Sequence, residues 1–409
     1  MPTLRPHDPR LFAAGAARRT GAALSALLLC AATAAHAAHA AHAATRHKPG
    51  HGRHHAAGKA AVAGTEAAAA STKAAAAAGP ATATEPGQTA YGQRPDAVQL
   101  ANTLAERHGL DPAWAQAQLA QARYTPSVAR LIMPAAVGTA KNWAAYRARF
   151  IEPERIRAGA AFWAANASWL DAAEQRYGVP AAVVVGIIGV ETFYGRVTGN
   201  YRVLDALATL SLDFPKGRKD RSGFFQDELG QFLRLAKTEQ LPPTSVKGSF
   251  AGAMGLGQFM PGSINRFAVD FDGNGHIDMV ASVPDVIGSV ARYLAEHGWQ
   301  PGQPTHFAIT PPSDSAQRAA LLEPDILPSF SPAQLVAAGA LLEATALAHP
   351  GPLALVLLQN GDAAPTYLAG TQNFYAVTRY NWSSYYALAV IELGQAVAAA
   401  RLAKPFQPG

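Results

Sequence analysis

The stretch Pro180-Ala-Ala-Val-Val-Val-Gly-Ile-Ile-Gly-Val-Glu191-Thr-Phe-Tyr-Gly-Arg196 decides how this 409-residue chain is read. Residues 181–190 are a run of ten apolar residues at helix length. Gly178-Val179-Pro180 breaks the chain just before it, proline suits a first helical turn, and Gly195 is expected to close the helix after about four turns. A helix that is apolar all round is a buried helix. Its first ionisable group is Glu191. Burial disfavours the charged form of a carboxyl, so this glutamate should hold its proton well above the ordinary value of about 4.3. A general acid needs that property. A buried glutamate paired with Arg196 or Arg202 is the plain structural alternative, and the helix alone leaves both readings open.

Working outward, helix-length patterns cover residues 95–108, 111–122, 153–177, 222–239, 284–297 and 381–403. The expected fold is mainly α, in the α+β class. At about 301–375, proline-rich turns and short apolar runs at 353–358 and 366–368 predict a few strands, forming a small β-containing subdomain packed on the helices.

Composition limits the function. With 49% hydrophobic and 15% charged residues, disorder does not describe the chain as a whole. Residues 1–92 hold 9 of the 34 Lys and Arg and 3 of the 28 Asp and Glu, so the remainder carries 25 of each sign. A globular part that is neutral overall lacks the electrostatic footprint of a nucleic-acid binder, which removes nucleic acid as a partner.

Residues 1–43 read as an export signal. Arg5, Arg10, Arg18 and Arg19 form a basic start, residues 22–35 an apolar segment too short to span a bilayer, and cleavage after Ala37, Ala40 or Ala43 suits the small-residue rule. The expected location is therefore the periplasm. Cys30, the single cysteine, lies inside this segment, so the mature chain is expected to have no disulfide and no cysteine metal site. An outer-membrane lipid anchor on Cys30 is the competing reading, disfavoured because Leu29 precedes it where acylation signals want a small residue. Residues 44–92 are a low-complexity basic linker of Ala, Lys, His, Gly, Thr and Pro. Eight of the 13 histidines fall before residue 56, and His47, His51, His54 and His55 offer at most weak metal binding. Residues 93–409 are expected to form the globular domain.

Three further features carry chemistry. Ser249-Phe-Ala-Gly252-Ala-Met-Gly255-Leu-Gly257-Gln258-Phe-Met-Pro261 is a glycine-dense turn flanked by polar Ser249 and Gln258, where backbone can approach a bulky ligand. It is no dinucleotide fingerprint, because no strand precedes it. Asp270-Phe-Asp272-Gly-Asn274-Gly275-His276-Ile-Asp278 has the oxygen-bearing spacing and central glycine of a calcium loop. Position 12 of that loop is Ala281, and the next acid, Asp285, comes four residues late. The expected ligand set is Asp270, Asp272, Asn274, His276, Asp278 and Asp285, holding a structural calcium ion. Thr378-Arg379-Tyr380-Asn381, with Tyr385 and Tyr386 beyond, suits a sugar: aromatic faces stack on pyranose C–H surfaces and amides bond hydroxyl and acetamido groups. Tyr146 and Tyr293, on other helices, can line the same groove.

Gly189-Val-Glu191-Thr-Phe-Tyr-Gly-Arg196, Leu204-Asp-Ala-Leu-Ala-Thr-Leu210, the glycine-dense turn, the acidic loop and Arg379-Tyr380-Asn381, in that order, resemble the membrane-bound lytic murein transglycosylase B family (glycoside hydrolase family 103). The resemblance implies a lysozyme-like helical domain with a deep groove, and cleavage of the MurNAc-β-1,4-GlcNAc bond of peptidoglycan to leave 1,6-anhydromuramoyl ends. It implies Glu191 as the catalytic residue, and Tyr146, Arg221, Ser249, Gln258, Tyr293, Tyr380, Asn381 and Tyr386 as substrate-binding residues. It implies peptidoglycan glycan strands as partner, with recruitment by cell-wall synthesis or secretion complexes, and no cofactor for catalysis. The segment 216–221 departs from the family by a few extra residues, and Arg221 is the match for one of its two adjacent arginines. A hydrolytic, lysozyme-type muramidase and a non-catalytic wall-binding protein are the alternatives.

Overall fold

Proline starts several of the first helices, where its missing N–H costs nothing. The computed structural model describes residues 89–92, 94–134 and 141–403; the export signal, Cys30 and the linker up to residue 88 lie outside them. Helices α1 (Pro95–His108), α2 (Pro112–Leu119) and α3 (Pro126–Leu131) each begin this way, and α1 ends on Gly109 in the left-handed region. Helix α4 (Trp143–Arg147) is capped by Asn142. The helix expected over 153–177 is two, α5 (Pro153–Ala165) and α6 (Ala167–Tyr177). Asn166 divides them: its amide donates to the Phe162 carbonyl at 2.8 Å, a local bond that competes with the helical ladder.

Helix α7 (Ala181–Thr192) is buried along its whole length except at half-buried Ala182. It ends three residues before Gly195, because Phe193 and Tyr194 already adopt left-handed backbone, with φ of 53° and 57°. Such a conformation costs roughly 1–2 kcal/mol per residue. Phe193 is held there between the guanidinium groups of Arg155 and Arg196, each 4.5 Å from its ring centre.

Strand β1 (Tyr201–Arg202) pairs antiparallel with β2 (Lys247–Gly248). Between them lie α8 (Val203–Leu212), not singled out as a helix by its sequence pattern, and α9 (Ser222–Thr238), which packs on it. Helices α10 (Pro261–Phe267) and α11 (Val283–Glu296) follow. The β-containing part comprises β3 (His306–Thr310), α12 (Ser315–Leu322), α13 (Pro332–Ala337), β4 (Leu341–Leu342), α14 (Ala344–Leu347), β5 (Ala354–Asn360) and β6 (Ala363–Gly370). Its sheet runs β4-β3-β6-β5, all antiparallel, inside the stretch read as β-containing. Strand β5 is apolar on both faces for a reason. Ala354, Val356 and Leu358 join the main helical core, whereas Leu355 points into a second, smaller core with Phe307, Leu335 and Ala369.

Helices α15 (Gln372–Tyr380) and α16 (Ser384–Ala403) close the fold. Among the described residues α16 is the helix long and apolar enough to cross a membrane, but half of that stretch is buried in the fold, packed along α7. The two helices touch backbone to backbone: a Cβ on Gly186 would overlap the Val390 carbonyl, and one on Gly394 the Ala182 carbonyl. Two glycines in helices, each normally costing about 1 kcal/mol, thus set how closely α16 lies against the helix that carries Glu191.

Candidate active site

Glu191 occupies the last turn of α7 and is 6% exposed. Burial raises its proton affinity well above that of an ordinary glutamate; the Tyr386 hydroxyl, donating to Oε1 at 2.8 Å, draws it partly back. Neither arginine that could have neutralised it does so. Arg196 pairs with Glu154 at 2.6 Å, and Arg202 lies 3.5 Å from Asp205. Among the described residues no second carboxylate bears on Glu191 either. The surroundings thus favour the neutral carboxylic acid, with one hydroxyl to receive the charge when it ionises.

Tyrosines surround it. Tyr386, fully buried on α16, lies nearly parallel to Tyr380, with ring centres 6.4 Å apart. The Tyr380 hydroxyl donates to the Gly257 carbonyl in the glycine-dense turn. Phe259 of that turn packs edge-on against Tyr380 at 5.5 Å and Tyr293 at 5.6 Å. Tyr293 in turn donates to the Arg379 carbonyl at 2.6 Å. Tyr146, from α4, lies near enough for the Glu191 charge to raise its proton affinity, second to the effect of burial. Register alone separates the two adjacent tyrosines of α16. Tyr386 faces the acid, whereas Tyr385 accepts a hydrogen bond from the Gln359 amide of β5 at 2.6 Å.

The turn itself is built by its polar residues. The Ser249 hydroxyl accepts from the amides of Ala251 and Ala253 at 3.3 and 3.0 Å. The Gln258 amide donates to the carbonyls of Thr198 at 3.0 Å and Gly255 at 2.9 Å. Gly255, at φ 70°, lies so close to the Met279 carbonyl that no side chain fits. Asn381, directly after Tyr380, is 7% exposed. Arg221 is set apart from this group. It precedes α9 at its N-cap position and lies over the rings of Phe224 and Phe225 at 4.9 and 5.6 Å, and burial, ahead of neighbouring Arg218, lowers its pKa to about 10. One polar group had no role assigned from sequence: the buried Thr192 hydroxyl, which donates to the Leu256 carbonyl of the turn at 2.9 Å. Its signal was a hydroxyl beside the acid at the end of an apolar run.

In the acidic loop, Asp270, Asp272 and Asp285 come together, with one oxygen of each within 4.8 Å of the others. Asp285 reaches back from α11, where it is fully buried and accepts from the amides of Phe271 at 2.8 Å and Asp278 at 2.9 Å. Asp270 accepts from the amides of Gly273, Asn274 and Gly275, chiefly Gly275, and these hold it below the usual carboxylate range. A carboxylate oxygen that accepts one amide keeps a further lone pair, so three convergent carboxylates fit a hard divalent cation. His276 and Asp278 are not part of this cluster of three. Asn274 accepts from the His276 amide, Asp278 from the amides of Val280 and Ala281, and the His276 ring lies 3.3 Å from Glu239.

Known proteins resemble this chain in sequence and fold. A family described as "Transglycosylase SLT domain" matches residues 92–395. The membrane-bound lytic murein transglycosylase B of Escherichia coli (strain K12) is 42% identical over 320 residues, covering 76% of this chain and 85% of that protein. The E. coli lytic transglycosylase Slt35, solved in complex with calcium, is 41% identical at a TM-score of 0.65, over 76% of this chain and 95% of that one. SltB3 from Pseudomonas aeruginosa, solved with NAG-NAM-pentapeptide, is 30% identical at a TM-score of 0.62, over 74% and 79%. With its lysozyme-like helical fold, this chain belongs to the lytic murein transglycosylase family, lyases that cleave peptidoglycan.

Proposed function

We propose that Glu191 serves in turn as acid and base for cleavage of the MurNAc-β-1,4-GlcNAc bond, giving a 1,6-anhydromuramoyl end. The observation that carries this is the isolation of the acid: buried, with no arginine and no second carboxylate bearing on it among the described residues, and with the Tyr386 hydroxyl on Oε1. Ordinary glycosidases use two carboxyl groups, the second as nucleophile or to activate water. Here the substrate supplies the nucleophile. The Glu191 carboxyl gives its proton to the glycosidic oxygen as the bond from C1 breaks, and the muramoyl acetamido oxygen supports the positive charge at C1. The C6 hydroxyl then attacks C1 and its proton passes to the Glu191 carboxylate, which restores the acid without consuming water. Tyr386 stabilises the carboxylate between the two transfers. Tyr146, Tyr293, Tyr380 and Asn381 bound the sugar site; Ser249 and Gln258 act by shaping the turn, and Arg221 meets substrate further along the strand.

Asp270, Asp272 and Asp285 hold a structural calcium ion, a reading supported by the calcium complex of Slt35 and by the convergence of the three carboxylates. The ion stiffens the loop between the turn and α11. The chain works in the cell envelope, exported through residues 1–43, with residues 44–92 as a tether of basic character. The NAG-NAM-pentapeptide complex of SltB3 supports glycan strands as the ligand. Digestion of sacculi by wild type and Glu191→Gln, read by mass spectrometry, tests the reaction. Anhydro ends, lighter by one water than reducing ends, are expected from wild type alone. Reducing ends from wild type, or more than a few per cent of anhydro release by the variant, would overturn it.

A further inference from the structure

The glycine-dense turn is held from within by the Ser249 hydroxyl and the Gln258 amide, and from outside by contacts with its neighbours. Met254 and Phe259 pair through backbone, Leu256 donates to the Met279 carbonyl at 3.3 Å, and Gly255 and Gly257 flank Leu256. Two hydroxyls from outside the turn donate to its successive carbonyls: Thr192 to Leu256 and Tyr380 to Gly257. Thr192 directly follows the acid on α7, and Tyr380 lies against Tyr386, which donates to the acid. The contacts close a ring: Glu191, Thr192, Leu256, Gly257, Tyr380, Tyr386 and back to Glu191.

We infer that Thr192 is a positioning residue of the lytic reaction: its hydroxyl fixes the turn against α7 and so keeps the Tyr386 hydroxyl on Glu191. The inference rests on the reading of Glu191 as the acid. Thr192 is fully buried, and its hydroxyl also accepts from the Gly195 amide at 3.1 Å, which holds the left-handed end of the helix. A helical threonine can instead donate to its own helix, here Ile188 at 3.2 Å; the longer-range Leu256 carbonyl is the nearer partner at 2.9 Å. Without the hydroxyl, the Leu256 carbonyl loses its donor, the turn shifts with Tyr380, and Tyr386 withdraws from the carboxylate. Glu191 then loses the one hydrogen bond that favours its ionised form. The titratable groups that face it are Tyr386 from α16, Tyr380 from α15 and Tyr146 from α4.

Thr192→Val removes the hydroxyl at nearly constant volume, and Thr192→Ser retains it. On soluble glycan, the valine variant should lose about tenfold in kcat with little change in KM, and its alkaline limb should move to higher pH. The serine variant should restore both. In the double variant Thr192→Val with Tyr386→Phe, the loss should be close to that of Tyr386→Phe alone, since both act through one bond. An unchanged limb in Thr192→Val, whatever its activity, would reduce Thr192 to a folding role and overturn the inference. Should the valine variant fail to fold, Tyr380→Phe cuts the other tie to the turn and must shift the limb the same way; an unmoved limb there also overturns it. Turnover retained by Glu191→Gln would instead remove the reading on which the inference stands.

Discussion

Glu191 and the Asp270 loop put the same functional group to opposite uses. Glu191 is taken out of water and given one hydroxyl donor, so its surroundings favour the neutral form. Asp270 stays at the surface and accepts three backbone amides, which favour its anion. Desolvation makes an acid; convergent amides make a ligand. What distinguishes the two regions is thus the number of donors turned toward the carboxylate and the access of water, since the side chains are nearly alike. Asp285, fully buried, likewise accepts two amides.

The largest way to break this comparison is at Glu191 itself. Glu191→Gln should lower turnover by about 10³-fold or more, because the amide keeps the shape but cannot cycle a proton. Wild-type activity should fall as pH rises through the raised pKa, and a profile flat from about pH 4 to 9 would contradict an acid made by burial. The stability sign follows. A group whose folded pKa is raised stabilises fully below its unfolded value and loses that contribution as pH rises through the folded one. Glu191→Gln should therefore melt higher than wild type in alkaline buffer, with the advantage vanishing in acid. An advantage independent of pH would show that wild-type Glu191 does not titrate anomalously.

Glu228 tests which principle wins when both act. It is 7% exposed on α9 and accepts one amide, from Gly262 at 2.8 Å. Burial outweighs that amide and raises its pKa to about 7, from an ordinary 4.5. Its contribution is complete below pH 4.5 and lost through pH 7, so Glu228→Gln should gain up to about 3 kcal/mol at pH 8 to 9, and nothing at pH 4. Denaturant unfolding at the two pH values measures it. An equal effect at both would mean that one amide suffices to offset burial.

Much of this was legible in sequence, for physical reasons that also mark where reading stops. An apolar run ending in Glu191 forces a buried acid, because nothing along that helix can face water. The end of α7 was not legible: left-handed Phe193 and Tyr194 depend on Arg155, which lies far off in the chain. Nothing in residues 153–177 announced the break at Asn166, whose amide turns back on its own helix. Val203–Leu212 carries no solvent face to mark it, because its polar residues Asp205, Thr209 and Ser211 are buried with its apolar ones. The tyrosines were visible as a set, but only register assigns Tyr386 to the acid and Tyr385 to β5. Asp285 is legible as a ligand placed four residues late in its loop, but its reach depends on where α11 begins.

Calcium sharpens the other half of the comparison. The loop has Ala281 where a calcium loop normally places a bidentate acid, so weak affinity is expected, with Kd about 10⁻⁴ to 10⁻³ M. By linkage, about 10 mM calcium should then add roughly 1.4 to 2.7 kcal/mol of stability. Asp270→Ala should abolish the increment and leave turnover on soluble fragments within about twofold, because the loop lies outside the ring of contacts around Glu191. Thermal melts with calcium and with chelator decide the matter. No calcium-dependent shift in wild type, or the same shift in Asp270→Ala, would mean that the three carboxylates are organised by their amides alone.

The smallest effect is expected at His276, and its smallness is informative. Its place in the loop made it a candidate ligand, but its ring lies 3.3 Å from Glu239, which also accepts from the Ile277 amide at 3.2 Å. A side chain turned to a glutamate outside the loop can serve the ion only through its backbone carbonyl, as the corresponding loop position normally does. His276→Ala should therefore change stability by no more than about 0.5 kcal/mol, the worth of an exposed pair, and leave the calcium increment intact. Melts of His276→Ala and Asp270→Ala across a calcium series separate the two positions. Loss of the increment in His276→Ala would place the ring among the ligands and show that carboxylates matched by amides do not hold the ion without it.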